Sequence, residues 1–219
     1  MGENIDGQLG LVTNDNTYHP TLIERIKGIR AISAGGNHSL ILNQEGQVFG
    51  FGYNGHGQLG LGDCYKVSVP TLIRDLEKIV AISTGNNHSL VLDKKGRVFG
   101  FGKNNLGQVG FLDQKNQLSP RLINGLPKIA AISSGRDHSL FLSTQGQVFS
   151  CGDNTMGQLG LGNITNHPYP TLLTRIDEII AISAGDSHSL ILNKQGQVFS
   201  FGNNILLPTF MMNLTHQLT

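Results

Sequence analysis

The chain has 219 residues, 38% of them hydrophobic and 14% charged, with 29 glycines and a formal net charge of +1. That is long enough for a sizeable core and too apolar and too glycine-punctuated for disorder. It is also far from the clustered basic surface that nucleic-acid binding requires, since the lysines and arginines are scattered.

The first residues, Met1 to Gly7, carry neither the basic start nor the apolar segment of a signal peptide. Asp6 stands where a myristoylation signal needs Ser or Thr. No apolar stretch approaches membrane-spanning length. The two cysteines, Cys64 and Cys151, make no disulfide framework and have no metal-like spacing. These features point to a reducing, cytoplasmic location.

From Gly7 onward the chain repeats itself every fifty residues. Gly7-Gln8-Leu9-Gly10 returns at Gly57, Gly107 and Gly157, with Val109 replacing Leu once. Ala-Ile-Ser-x-Gly-x-x-His-Ser-Leu runs from Ala31 to Leu40 and returns at Ala81, Ala131 and Ala181. Gly-Gln/Arg-Val-Phe starts at Gly46, Gly96, Gly146 and Gly196. Four copies, 1–50, 51–100, 101–150 and 151–200, follow without insertion or deletion, and a fifth begins at Phe201-Gly202-Asn203-Asn204. A strict period of this length means one supersecondary unit stacked on copies of itself.

Within the second copy, Ile79 to Thr84, His88 to Asp93 and Gly96 to Phe101 are short β-branched or aromatic runs bounded by Gly, Asn or Asp. They predict strands near 79–84, 88–93 and 96–101. Asp93-Lys94-Lys95-Gly96 is a tight hairpin, with Gly where a positive φ is needed. The run from Val69 predicts a shorter outer strand, because Pro70 cannot donate to a ladder and belongs at an edge. Runs apolar on both parities imply sheets covered on both faces. Small residues at Ala81, Ser83 and Gly85 permit close approach near a crowded axis. The fold expected is all-β: a β-propeller-type array of four full blades plus a partial fifth, open or incomplete.

The motif Phe51-Gly52-Tyr53-Asn54, Gly57-Gln58-Leu59-Gly60, Pro70, Ala81-Ile82-Ser83, Gly85, His88-Ser89-Leu90 and Gly96-Arg97-Val98-Phe99 resembles the regulator-of-chromosome-condensation repeat. The resemblance covers about residues 1–204. Kelch repeats have a similar length but need Gly-Gly and aromatic landmarks in every copy; here Gly-Gly occurs only at Gly35-Gly36. There are three departures from the family. Phe51, Phe101, Cys151 and Phe201 stand where Trp is usual, which also argues against a light sensor like the family's plant photoreceptor. Members usually have seven blades rather than four. No copy carries the inserted hairpin associated, in the founding member, with nucleotide exchange on the GTPase Ran.

Four repeats leave two terminal faces bare. For a face of about 400 Å², exposure to water forgoes roughly 10 kcal/mol at ~25 cal/mol per Å². The segment 205–219 is therefore expected to cap the last blade, because Pro208-Thr209-Phe210 resembles Pro170-Thr171-Leu172. The alternative is that the chain is a truncated or decayed piece of a longer gene, and self-association through open blade ends is a further expectation.

His38, His88, His138 and His188 recur at one position of the period, so a shared metal would need them to converge at the axis. A structural role is expected instead, each histidine bonding its neighbouring loop. His88-Ser89 and its copies point to opposite faces of a strand and cannot form a nucleophile–base pair within one copy. No catalytic, metal or cofactor site is expected. Positions that differ between copies are free to serve a partner. Before the histidines they are Asn86, Asn87, Arg136, Asp137 and Asp186; after the Gly-x-Asn step they are Tyr53, His56, Lys103 and Asp153. The leading expectation is a non-enzymatic protein-interaction platform using one propeller face. The alternative implied by the resemblance is an exchange factor or binding regulator of a small GTPase such as Ran, including one deployed by a bacterium toward its host.

Overall fold

The structure, a computed structural model, describes residues 2–24 and 26–204. Fifteen strands form four antiparallel sheets, and no helix occurs among the described residues. The first sheet contains β1 (Ile29–Ala34), β2 (His38–Asn43), β3 (Val48–Gly52) and β4 (Val67–Leu72). The second contains β5 (Ile79–Thr84), β6 (His88–Asp93), β7 (Val98–Gly102) and β8 (Gln117–Leu122). The third contains β9 (Ile129–Ser134), β10 (His138–Ser143), β11 (Val148–Gly152) and β12 (His167–Leu172). The fourth has three strands, β13 (Ile179–Ala184), β14 (His188–Asn193) and β15 (Val198–Gly202). The innermost strands β1, β5, β9 and β13 lie side by side in that order, so the sheets are consecutive blades of an unclosed propeller. No helix long and apolar enough to cross a membrane is present among the described residues.

Three details depart from the sequence reading. The third strand of each blade starts two residues later than expected, at Val98 in the second, because Gly96 closes the hairpin at φ +82° and Arg97 donates its N–H to Asp93 Oδ1. The outer strand starts at Val67 rather than Val69 and is six residues long, no shorter than its neighbours. Pro70 fits there because it lies on the edge strand. Finally, each sheet straddles two copies of the sequence: β1 and β2 come from the copy 1–50 and β4 from the next. The capping segment expected at 205–219 lies outside the described residues.

Each core is built between blades. Leu40, Leu42 and Val48 of the first blade pack with Ile82, Val91, Phe99 and Phe101 of the second. Leu90, Leu92 and Val98 then meet Ile132, Phe141, Phe149 and Cys151 of the third. Leu142 and Val148 meet Ile182, Ile191 and Phe201 of the fourth. Strands β6 and β10 are accordingly buried on both faces, whereas β14 alternates between buried and exposed. The Gly-Gln-Leu-Gly segment packs between blades: Leu59 lies against Gly50 of β3 and Gly60 against Phe101 of β7. In the second copy Asn54 Oδ1 accepts the Leu59 N–H at 2.9 Å, and its Nδ2 donates to the Asp63 carbonyl at 3.0 Å, with Asn54, Gln58 and Leu59 all buried.

Candidate functional site

The two ends of every blade differ. One carries the tight β2–β3 type hairpins; the other carries the short turns before β2, β6, β10 and β14 and the long loops that leave β3, β7 and β11. On this second face the two variable sets of the sequence meet. The N–H groups of Tyr53, Lys103 and Asp153 donate to the carbonyls of Asn37, Asn87 and Asp137 at 2.7–2.8 Å. Around the inner rim, Asn86 donates its N–H to the Arg136 carbonyl and Arg136 donates to the Asp186 carbonyl, both at 3.1 Å. The rim lines a shallow groove of about 260 Å³ in which Asn86, Arg136 and Asp186 stand with Thr84 and Ser134 among Gly and Ala residues.

Side chains extend this network. Lys103 Nζ lies 3.2 Å from Asp137 Oδ1, which also accepts Gln108 Nε2 at 2.9 Å. Arg136 lies at 3.8 Å from both Asp137 and Asp186. Gln58 Nε2 donates to Asn87 Oδ1 at 3.1 Å, and Gln158 Nε2 donates to Asp153 Oδ2 at 2.8 Å. Tyr53 and His56 meet edge to face at 6.1 Å between centroids. His56 Nδ1 lies 3.3 Å from Asn116 Nδ2. Burial and the nearby Lys103 lower the His56 pKa, with Asp137 opposing them. All nine variable residues are exposed or half-buried, while the intervening Asn54, Gln58, Asn104, Gln108, Asn154 and Gln158 are buried. Lys103, Arg136, Asp137, Asp153 and Asp186 carry charge along the face, and toward the first blade Asp6, which accepts from Asn37 Nδ2 at 3.2 Å, pairs with Lys66 at 3.7 Å. Sequence reasoning missed the part played by the invariant glutamines. Because they repeat they read as fold residues, yet Gln58 and Gln108 also fix the carboxylate or amide of a variable neighbour.

The repeated histidines do something other than bond their own loops. His38 Nε2 reaches Ser89 Oγ at 2.9 Å, His88 reaches Ser139 at 3.0 Å, and His138 reaches Ser189 at 2.9 Å. Each serine belongs to the next blade. Each serine hydroxyl donates its own proton to a carbonyl, that of Gln58, Gln108 or Gln158, at 2.7–2.8 Å. The histidine must therefore be the donor, neutral and protonated on Nε2, while its buried Nδ1 has no hydrogen-bond partner. Burial lowers the pKa to about 4 for His38 and His138 and about 3 for His88. A His–Ser pair in which the imidazole donates and the buried hydroxyl is already committed to a carbonyl is set up to join blades, not to generate a nucleophile. His188, the fourth copy, is exposed and makes no such bond among the described residues. No cluster of three or more metal-ligating side chains occurs among the described residues.

A family model described as the RCC1-like domain matches residues 1–207. An RCC1 repeat-containing protein of Schizosaccharomyces pombe is 37% identical over 54 residues, 25% of this chain and 15% of the relative. Among solved structures, human WBSCR16 superposes with a TM-score of 0.81 at 26% identity, over 94% of this chain and 56% of that one. Yeast RCC1 (Prp20), solved bound to Kap60, gives 0.72 at 28% identity, over 84% of this chain and 45% of that one. A second structure of Prp20p from Saccharomyces cerevisiae, whose study concerned binding to Gsp1p and histones, gives 0.73 at 22% identity, over 89% of this chain and 52% of that one. This chain thus spans about half the length of the structures it resembles.

Proposed function

The chain belongs to the RCC1-like domain family, and we propose that it is a protein-interaction platform whose loop face, from Tyr53 and His56 to Asp186, docks a partner protein. The observation that carries this reading is the separation of labour on that face. The nine variable loop positions from Tyr53 to Asp186 are accessible, and the invariant polar residues between them are buried and hold the loops in place. A rim preset by backbone hydrogen bonds loses little entropy on docking. Charges of both signs along this face suit a partner surface of mixed polarity better than a polyanion.

Regulation of a small GTPase is the second reading. It is supported by the likeness to Prp20p, a protein studied for binding Gsp1p. The unbroken fifty-residue period, without an inserted hairpin, favours holding a GTPase over exchanging its nucleotide.

The test is binding of the full chain to purified small GTPases, nucleotide-free and nucleotide-loaded, alongside affinity capture of other proteins. The double variant K103E/R136E should lose the partner, and K94E, on the hairpin face, should retain it. Loss in K94E and retention in K103E/R136E would reject the loop face. Tighter binding to the nucleotide-free GTPase would identify an exchange factor.

A further inference from the structure

Three joints of one construction hold the four blades together, and each end of the array carries one half of a fourth. At a joint, the trailing face of one blade supplies a histidine, two leucines and a valine. In the first three blades all four are buried, as with His38, Leu40, Leu42 and Val48. In the last blade His188 is exposed, Leu190 is 38% exposed and Val198 is 64% exposed.

The leading face shows the reverse asymmetry. Ile79, Ile129 and Ile179 are exposed by only 1–3%, but their first-blade counterpart Ile29 is 38% exposed, and Ile32 is 77% exposed. Beside Ile32 lies an apolar groove of about 260 Å³ lined by Leu11, Ile23, Ile41 and Phe51. Ile32, Ile41 and Phe51 are the counterparts of the residues that, at the first joint, receive Leu40, Leu42 and Val48.

Polar groups are divided in the same way. The N–H groups of Ile79, Ile129 and Ile179 donate to the carbonyls of Gly46, Gly96 and Gly146 of the preceding blade. The N–H groups of Thr84, Ser134 and Ala184 donate to the hydroxyls of Ser33, Ser83 and Ser133. Each histidine donates to Ser89, Ser139 or Ser189. Continuing the series by fifty residues leaves Gly196, Ser183 and His188 at one end, with Ile29, Ala34 and Ser39 at the other.

The outer strand completes the match. Sheet order places β4, β8 and β12 on the edges of β3, β7 and β11, but β15 has no fourth strand among the described residues. Residues 17–22, Thr-Tyr-His-Pro-Thr-Leu, occupy the same place in the period as β12 and belong to no sheet beyond one bridge, Gly2 with Thr17. Gly7, Gly57 and Gly107 each lie against the second residue of an outer strand, Ser68, Leu118 and Pro168, whereas nothing lies near Gly157. Tyr18, highly exposed, is the residue at the matching position.

We propose that copies of this chain join head to tail. The open face of the fourth blade and the edge of β15 in one copy receive residues 17–22 and the open face of the first blade of another. Leu190, Leu192 and Val198 fill the groove beside Ile32, His188 donates to Ser39, and Phe199 and Ser200 pair with Leu22 and Thr21 as Phe149 and Ser150 pair with Leu172 and Thr171. Such an interface is heterologous: two different surfaces meet, and it closes only when successive rotations complete a turn. With two copies, the second joint closes an eight-blade ring and leaves no blade short of its outer strand. This inference does not depend on what the loop face binds.

The experiment is sedimentation velocity on the full chain over a range of concentrations, with two variants that each block one end, I32E and V198E. Both side chains are exposed in a single copy, so each variant should melt with the wild type in dilute solution. The wild type should sediment as two or more copies, and each variant alone as one. An equimolar mixture of the variants should form a 1:1 dimer, because each retains the end that the other lacks. A wild type that stays single at every concentration, its last sheet covered by its own residues 205–219, would overturn the proposal. So would a mixture that stays single, or assembly that either variant leaves untouched.

Discussion

Replacing His88 with alanine tests whether the repeated histidine is the bolt between blades. The substitution removes an Nε2–H that donates to Ser139 Oγ at 3.0 Å and empties a fully buried ring site. Ser139 keeps its own donation to the Gln108 carbonyl at 2.7 Å, so the serine is left partly satisfied. The lost bond is worth roughly 1–3 kcal/mol when a buried partner is stranded. The vacated ring adds a cavity penalty of about 2 kcal/mol. A total of about 3–5 kcal/mol is expected. His188→Ala, which removes an exposed ring with no partner among the described residues, should cost under about 0.5 kcal/mol in dilute solution. Because neighbouring repeats are coupled through their interfaces, His88→Ala should also broaden or split the urea transition. A double-mutant cycle with Ser139→Ala isolates the bond, with a coupling of about 0.5–1.5 kcal/mol expected. Equal costs at His88 and His188, or zero coupling to Ser139, would refute the inter-blade role. Stoichiometric zinc lost on substitution would refute it from another direction.

Acid should loosen the same joints. His38, His88 and His138 have folded pKa values depressed to about 4, 3 and 4 by burial, against an ordinary value of 6.5. The folded state therefore binds fewer protons than the unfolded one, so their contribution is complete above pH 6.5 and drains as pH falls toward 4 and then 3. Each buried histidine adds at most about 1.4 kcal/mol per pH unit to the slope. Urea midpoints that stay flat between pH 7 and 4.5 would contradict this. The two thiols should also differ: Cys64 is exposed and Cys151 is buried, with its pKa pushed up by desolvation. One thiol equivalent should react quickly with a disulfide reagent in the native state and the second only on unfolding; two fast equivalents would refute that burial.

The strands were legible in the sequence because each is a short β-branched or aromatic run stopped by Gly, Asn or Asp, and local chemistry sets those limits. Ile79–Thr84 and His88–Asp93 form where the pattern places them. Boundaries set by a turn were less legible: Val98 starts its strand late because Asp93 captures the Arg97 amide, a contact that composition does not display. Variation between copies marked Tyr53, Asn86, Arg136 and Asp186 as free of fold work, but it did not reveal their mutual bonds. Those bonds run between blades, from Asn86 to Arg136 and from Arg136 to Asp186, and only the stacking geometry decides them.

The histidine's bonding partner was illegible for a related reason, having been expected in the neighbouring loop. Its partner is not the adjacent serine of the motif but the serine fifty-one residues on, one period away plus one position. A fixed period hides such contacts, because every copy displays both halves of the pair and no copy uses its own two halves together. The same arithmetic makes the ends informative. In an array of four copies with His-to-Ser joints between successive blades, three joints are made, and one donor and one acceptor are left over on opposite ends. His188 is that donor and Ser39 that acceptor. Strand pairing follows the same rule, with β15 short of a neighbour and residues 17–22 short of a sheet among the described residues. On the proposed joining of copies, the repeat that makes the fold easy to read also supplies the two unlike surfaces that would meet. Any account of what the protein binds must first say what meets them.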